Sequence, residues 1–291
     1  MSSSVSPINR FLNVAKNFTR SVNLEKDYHG ALQNGDYILT PTALESLHRL
    51  TQGLGDNSTS RAWTITGPYG TGKSAFAVFL TRLLCSDDNT GRSAREQLRQ
   101  IDPQLAIELA HLHVHQKGGK GFLPVLVTAR RTPAPNCIVE GIVAALSSEA
   151  SKKLQRLAVQ LNSTMQASTI GTSLDTRQAV CALKAASSAA REEGYRGVLL
   201  IIDELGKLFE YAARYPQKGD VYVLQELAEH VSRTRDFPAI LVGLLHQSFE
   251  EYGHLLDIGT RREWSKIQGR FGDVAFLEPA DQVIRMVAPP R

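Results

Sequence analysis

The sequence has few cysteines and no long apolar segment. Its three cysteines, Cys85, Cys137 and Cys181, are odd in number and widely spaced. This spacing suits neither a disulfide framework nor a zinc site, so we expect reduced thiols that serve packing. No window approaches the roughly 18 consecutive apolar residues that a membrane-spanning helix needs. We therefore expect no membrane span.

The chain also lacks a signal-peptide pattern and a concentrated basic stripe. Its start, Met-Ser-Ser-Ser-Val-Ser-Pro, has no basic region followed by an apolar run, and this indicates a cytoplasmic location. The formal net charge of +4 is spread along the chain, whereas proteins that bind polyanions usually concentrate their basic residues. Nucleic acid is therefore permitted as a partner but not indicated.

Short apolar runs alternate with longer helical patterns along the chain. Such alternation is typical of a parallel sheet that is covered by helices on both faces. The sequence therefore predicts an α/β fold, a three-layer αβα arrangement with a mainly parallel five-stranded sheet. The predicted strands are 62–66, 122–128, 197–202, 239–245 and a weaker one at 274–277.

Helical patterns fill the segments between these strands. Residues 74–84 are apolar nearly all round, which predicts a helix buried against the sheet. The polar stretch 86–121 is predicted to be an insertion with a helix near 104–112. A second stretch, 138–193, is rich in Ala, Ser, Gln and Leu and predicts two or three helices. Asp220 is the candidate N-cap of a further helix.

A glycine-rich segment, Gly-Pro-Tyr-Gly-Thr-Gly-Lys-Ser, follows the first predicted strand and precedes a predicted helix. A phosphate-binding loop needs glycines so that backbone N–H groups can turn towards an anion, and a helix N-terminus adds positive potential. Lys73 would reach the β- and γ-phosphates, and the Ser74 hydroxyl would ligate Mg²⁺. The alternative is a tight strand-to-helix turn without a ligand. The residues predicted to bind nucleotide are Gly67, Pro68, Tyr69, Gly70, Thr71, Gly72, Lys73, Ser74 and Ala75.

Two carboxylates, Asp203 and Glu204, follow the apolar run that begins at Val198. The run predicts a buried strand, and in a parallel sheet the carboxyl edge is where ligands bind. Asp203 would hold Mg²⁺ through a water, and Glu204 would act as the general base that activates the attacking water. Taken alone, an acidic pair after a strand is more often a cap or a surface feature. No Asn-Lys-x-Asp-like segment is present to read guanine, so ATP is preferred to GTP.

On these two motifs the chain resembles the AAA+ and related P-loop ATPases with a catalytic glutamate, which include origin-recognition ATPases and signal-transducing NTPases. The resemblance covers about residues 37–288 and implies ATP hydrolysis. It also implies a strand between the two motif-bearing strands, ending in a polar residue that contacts the γ-phosphate or the attacking water. The segment Ile240-Leu-Val-Gly-Leu-Leu-His-Gln matches this strand, with His246 as the first candidate and Gln247 as the second. An ordinary loop position is the alternative for both.

The family's fifth-strand segment is similar to Gln268-Gly-Arg-Phe-Gly-Asp-Val-Ala-Phe-Leu-Glu-Pro. This similarity implies that Arg270 is an arginine finger that acts on a neighbouring subunit or partner protein. A surface arginine paired with an acid is the alternative. Shorter segments, among them Asp-Glu-Leu-Gly-Lys, resemble large bacterial ATPases, some of them associated with defence against phage.

The resemblance also implies a helical lid after the fifth strand. Residues 281–291 are too few for such a subdomain, so we expect a truncated lid and weak ATP binding. The predicted organisation is an N-terminal segment 1–35, an ATPase core 36–280 with its two insertions, and the start of a lid at 281–291.

The sequence is compatible with three functions for such a nucleotide site. A motor or remodelling ATPase would form a ring and turn over quickly, with Arg270 acting across the interface. A signalling switch would hydrolyse ATP slowly and use the bound nucleotide to lock domains together. A small-molecule kinase fits worst, because Glu204 suits the activation of water.

Overall fold

Five parallel strands form the centre of the protein in a computed structural model, which describes residues 22–31, 37–54, 60–113, 120–168, 174–217, 220–234, 237–253 and 256–277. The spatial order of the strands is β2-β3-β4-β1-β5, and every pairing is parallel. The predicted five-stranded parallel sheet is confirmed, and β4 lies between β1 and β3 as expected. The strands are β1 (Ala62–Thr66), β2 (Lys120–Thr128), β3 (Tyr195–Asp203), β4 (Ala239–Leu245) and β5 (Gly272–Ala275).

Helices occupy most of the remaining described residues. None of those described is long and apolar enough to cross a membrane. A π-helical turn at Asp27–Ala31 follows α1. The α-helices are α1 (Leu24–Lys26), α2 (Pro41–Leu54), α3 (Lys73–Cys85), α4 (Asn89–Ile101), α5 (Pro103–His113), α6 (Ala134–Ser148), α7 (Lys152–Ser168), α8 (Thr176–Glu192), α9 (Gly206–Arg214), α10 (Tyr222–Arg233), α11 (Phe249–Tyr252) and α12 (Ile258–Gln268).

The sheet is buried on both faces, and β3 shows this most directly. Val198, Leu200 and Ile202 belong to a core that also contains side chains of α6, α7, α8 and α10. Leu199 and Ile201 point to a second core with side chains of α2, α3, α4 and α5. A strand that is covered on both faces needs an unbroken apolar run. The arrangement is compatible with the predicted three-layer αβα architecture.

The insertion 86–121 contains two helices, α4 and α5, where the sequence predicted one near 104–112. The missed helix, α4, buries only Gly91, Ala94 and Leu98 and begins at the Asp88 cap. With so few buried positions, the sequence of α4 does not show a helical pattern of apolar residues. The stretch 138–193 holds α6, α7 and α8, so the prediction of two or three helices is confirmed.

The predicted N-cap at Asp220 is wrong by one position. Helix α10 begins at Tyr222, and Val221 occupies the N-cap position without a side-chain cap. The Asp220 carboxylate still accepts a hydrogen bond from the Tyr222 N–H, at 3.0 Å. It also accepts one from the Thr176 hydroxyl, at 2.6 Å, so it joins the starts of α10 and α8.

Strand β5 begins two residues before the predicted 274–277. The reason lies in Asp273, whose Oδ1 accepts hydrogen bonds from the hydroxyls of Thr64 (2.6 Å) and Thr66 (2.9 Å) on β1. Polar pairs across neighbouring strands stabilise a sheet, but they leave no apolar pattern in the sequence from which the start of β5 could be predicted.

Part of the predicted N-terminal segment packs against the sheet and α3. Leu24 is fully buried, and a side-chain nitrogen of Arg82 on α3 donates to the Asp27 carbonyl at 2.9 Å. The Glu25 carboxylate accepts from the N–H of Thr128, the last residue of β2, at 3.1 Å. The predicted lid at 281–291 lies outside the described residues.

Candidate functional site

The loops after β1, β3 and β4 meet at the carboxyl edge of the sheet. The Gly67 N–H donates to the Leu245 carbonyl at 3.1 Å, which joins the ends of β1 and β4. The Leu205 N–H donates to the Leu244 carbonyl at 3.0 Å, which joins the segment after β3 to β4. Because all strands are parallel, this is the edge where α/β proteins bind ligands.

The glycine-rich loop occupies residues 67–72, and α3 starts directly after it. Gly70 and Gly72 have φ values of 82° and 91°, a region that residues with a Cβ avoid. No side chain of the described residues caps the start of α3, so the N–H groups of its first turn can serve an anion. Of the predicted binding residues, Lys73, Ser74 and Ala75 lie in that first turn.

Lys73 directs its ammonium group into the loop. Nζ donates to the carbonyls of Gly67 (2.5 Å) and Pro68 (2.7 Å), and the residue is only 4% exposed. Burial lowers the pKa of Lys73, while the charges of Asp203 and Glu204 act in the opposite direction. The loop therefore encloses a cation that lies within electrostatic range of both acidic residues.

Asp203 ends β3 and lies beside Ser74. The Ser74 side chain lies near the Asp203 carboxylate and acts to lower its pKa, and Asp203 Oδ1 accepts the Glu204 N–H at 2.8 Å. Burial raises the pKa of Asp203, the Glu204 charge adds to this, and Ser74 and the Glu204 N–H oppose it. A hydroxyl and a carboxylate are the oxygen ligands that Mg²⁺ prefers. The chemistry of this pair therefore fits the predicted metal site.

Glu204 has an unusual backbone and two basic neighbours. Its φ of 57° is the only positive value at a non-glycine position among the described residues, and such a conformation costs roughly 1–2 kcal/mol. Strain of this kind concentrates at functional sites. Lys207 Nζ lies 3.0 Å from one carboxylate oxygen and His246 Nε2 lies 3.3 Å from the other. Burial raises the pKa of Glu204, but the pairing with Lys207 and His246 outweighs it and lowers that pKa.

His246 follows β4 and lies beside Glu204; its predicted contact with the γ-phosphate or the water stays a prediction. Its two ring nitrogens are buried and have no hydrogen-bond partner within the described part of the chain. His246 Nε2 lies 3.3 Å from Glu204 Oε1. This distance allows an ion pair, but the two groups do not have the geometry of a hydrogen bond. The ring stacks on Tyr69, with centroids 3.5 Å apart. Gln247, the second candidate, is exposed.

The structure does not bring Arg270 to this edge. Arg270 precedes β5, which runs parallel to β1, so it lies at the amino end of the sheet. There its Nε is 3.1 Å from a carboxylate oxygen of Glu229, which also pairs with Arg233 at 2.8 Å. The pairing with an acid matches the alternative interpretation of Arg270. A role towards a neighbouring subunit stays a prediction.

Two residues of the site were not singled out from the sequence. Lys207 follows Glu204 by three positions, but Glu204 precedes α9 and its φ of 57° is not helical, so helical spacing did not indicate this contact. The Tyr252 hydroxyl is hydrogen-bonded to the backbone of His246 and Gln247, and burial raises the pKa of Tyr252 to about 12. No sequence pattern indicated that contact.

Comparisons with known proteins do not assign the chain to a family. No protein-family model matches it. No curated protein matches its sequence either. The functional interpretation therefore depends on the residues described above and on their chemistry.

Proposed function

We propose that this chain binds ATP together with Mg²⁺ and hydrolyses it to ADP and phosphate. One observation carries the proposal: Lys73, whose ammonium donates to two loop carbonyls, lies within electrostatic range of Asp203 and Glu204, and Ser74 lies near the Asp203 carboxylate. A cation for phosphate, a pair of metal ligands and a base thus lie together at the carboxyl edge of a parallel sheet. These are the components that phosphoryl transfer to water requires.

Lys73 and the glycine-rich loop would bind the triphosphate. The ammonium donates to two loop carbonyls, and phosphate oxygens are stronger, charged acceptors for the same protons. The uncapped first turn of α3 supplies further N–H donors and the positive end of the helix dipole. The loop thus favours an anion with several oxygens.

Ser74 and Asp203 would hold Mg²⁺. When bound, the metal ion would neutralise charge on the phosphate oxygens. The Ser74 hydroxyl can turn from the carboxylate towards a metal, because its C–O bond rotates. Asp203 is fixed by the Glu204 N–H, and its deep burial suits it to a metal rather than to solvent.

Glu204 would act as the general base. Its carboxylate accepts a proton from water while the water oxygen forms a bond to the γ-phosphorus and the bond to the β–γ bridging oxygen breaks. The two carboxylates have different neighbours: Glu204 pairs with Lys207 and His246, whereas Asp203 accepts the Glu204 N–H. His246, beside Glu204, would contact the water or the γ-phosphate.

The direct test is phosphate release from ATP by the purified chain. We expect release that depends on Mg²⁺ and stops when EDTA is added, and we expect GTP to be a poorer substrate. Phosphate release at the same rate with and without EDTA would contradict the proposal. So would a rate of release that does not exceed that of a buffer control at any concentration of the chain.

Substitution of His246 should affect the reaction more than binding. We expect His246→Ala to lower kcat by about tenfold or more while KM for ATP changes little, the signature of an interaction made mainly in the transition state. Steady-state kinetics check this result. Equal changes in kcat and in ATP affinity would show that His246 only supports the local structure.

The ion pair of Glu204 with Lys207 should set the acid limb of the pH–rate profile. Since the pairing lowers the pKa of Glu204, the carboxylate stays ionised to lower pH than an ordinary glutamate, and activity falls only as the pH drops through that lowered pKa. Lys207→Met should move the acid limb to higher pH. Lys266→Met, at an exposed pair with Glu263, is the control. An acid limb that does not move in Lys207→Met would refute this assignment.

The same pairing favours a slow-hydrolysing switch as a second candidate function. A base that is held by Lys207 and His246 is a weaker proton acceptor, and activity then depends on events that release it.

For the motor and for the switch alike, we propose a larger assembly, a homo-oligomer or a complex with a partner protein, in which Arg270 acts on a neighbouring site. Single-turnover rates separate the candidates, because a switch retains ATP for much longer than a motor.

A further inference from the structure

We infer that Tyr69 is a positioning residue: its ring holds the His246 imidazole beside Glu204 and thereby couples the glycine-rich loop to the hydrolytic base. The inference rests on the proposed function, since it concerns the same reaction. It gives Tyr69, which the motif predicts only as a nucleotide contact, a role towards His246.

The stack itself is close and nearly parallel. The ring centroids of Tyr69 and His246 are 3.5 Å apart and the planes differ by 22°. Tyr69 is nevertheless 73% exposed, so burial in a core does not keep its ring in this place. Contact between the rings does, because faces 3.5 Å apart are in van der Waals contact and attract each other by dispersion.

His246 needs such a support. Neither ring nitrogen has a hydrogen-bond partner among the residues described. A ring without hydrogen bonds is oriented by the surfaces around it. The face of Tyr69 lies on one side, and the carboxylate of Glu204 lies 3.3 Å from Nε2. The stack therefore sets the plane in which the imidazole presents its nitrogens to Glu204.

Tyr69 is in turn connected to the phosphate-binding part of the loop. The preceding residue, Pro68, accepts hydrogen bonds through its carbonyl from Lys73 Nζ (2.7 Å) and from the Thr71 hydroxyl (3.0 Å). If Lys73 exchanges this carbonyl for a phosphate oxygen, the restraint next to Tyr69 changes. The ring then transmits the state of the loop to His246 and Glu204.

Kinetics of five variants test the inference. We expect Tyr69→Ala to lower kcat about tenfold with KM for ATP within about twofold, since misplacement of a catalytic group costs rate rather than binding. Tyr69→Phe should restore most of the lost rate because it keeps the ring. The matched control is Tyr215→Ala, at a half-exposed tyrosine outside the site. The double variant Tyr69→Ala/His246→Ala should be no slower than His246→Ala, because Tyr69 acts through His246. A further multiplicative loss in the double variant would overturn the inference.

Histidine NMR without nucleotide provides a second readout. The imidazole signals of His246, assigned by their loss in His246→Ala, should be displaced by the ring current of Tyr69. They should move in Tyr69→Ala and stay in Tyr69→Phe. Signals that do not move in Tyr69→Ala, in a chain that hydrolyses ATP, would overturn this inference alone. Absence of hydrolysis by the unaltered chain would overturn the proposed function as well.

Discussion

Lys73→Ala is expected to remove most ATP affinity, weakening Kd by about 10²-fold or more, because charge-assisted hydrogen bonds contribute about 1.5–3 kcal/mol each. The ammonium of Lys73 is buried inside the loop, so no other side chain of the first turn of α3 can take its place there. Calorimetric titration with ATP and Mg²⁺ measures the effect.

Two further variants separate charge from loop structure. Lys73→Met keeps most of the side-chain volume and loses the charge, so its loss of affinity should match that of Lys73→Ala. Lys266→Ala, which removes an exposed lysine, should bind like the unaltered chain. Full ATP affinity in Lys73→Met would show that the phosphates bind elsewhere.

Glu204→Gln is expected to keep ATP binding and to slow hydrolysis on the order of 10²-fold or more, because the water loses its proton acceptor. Glutamine has nearly the same size, so the strained backbone at this position changes little. Asp203 and Ser74, which would hold Mg²⁺, are unaltered. Single-turnover hydrolysis, with binding measured separately, detects this combination.

The control for this variant is Glu263→Gln, at an exposed glutamate on α12. It should hydrolyse ATP at the rate of the unaltered chain. If Glu204→Gln also retains that rate, the general base is another group and the assignment of Glu204 is wrong. If Glu204→Gln loses ATP binding instead, the residue supports the structure of the loop.

The sequence predicted the sheet well because its strands are buried on both faces. The run from Val198 to Ile202 is apolar at every position, so it identifies β3 without knowledge of the neighbours. The glycine-rich segment 67–72 could also be predicted from its own residues, because the positive φ values of the loop fall on Gly70 and Gly72. The resemblance implied only that one strand lies between the two motif-bearing strands, and β4 has that position between β1 and β3.

Contacts between distant loops could not be predicted in the same way. Tyr69 and His246 belong to segments after β1 and β4, and their stack depends on how two loops approach each other in space. The location of Arg270 depends on the direction of β5, which places residues before the strand at the edge opposite to the glycine-rich loop. Helix α4 has too few buried apolar residues for its pattern to be recognised.

The measurement that tests the central claim most directly is hydrogen–deuterium exchange with and without ATP and Mg²⁺, because it locates the bound nucleotide without relying on activity. The proposed site predicts protection of peptides that cover residues 67–76, with smaller protection at 203–207 and around His246, and none of it in Lys73→Ala. Protection at another part of the chain, or unchanged exchange at 67–76 when ATP is saturating, would contradict the claim.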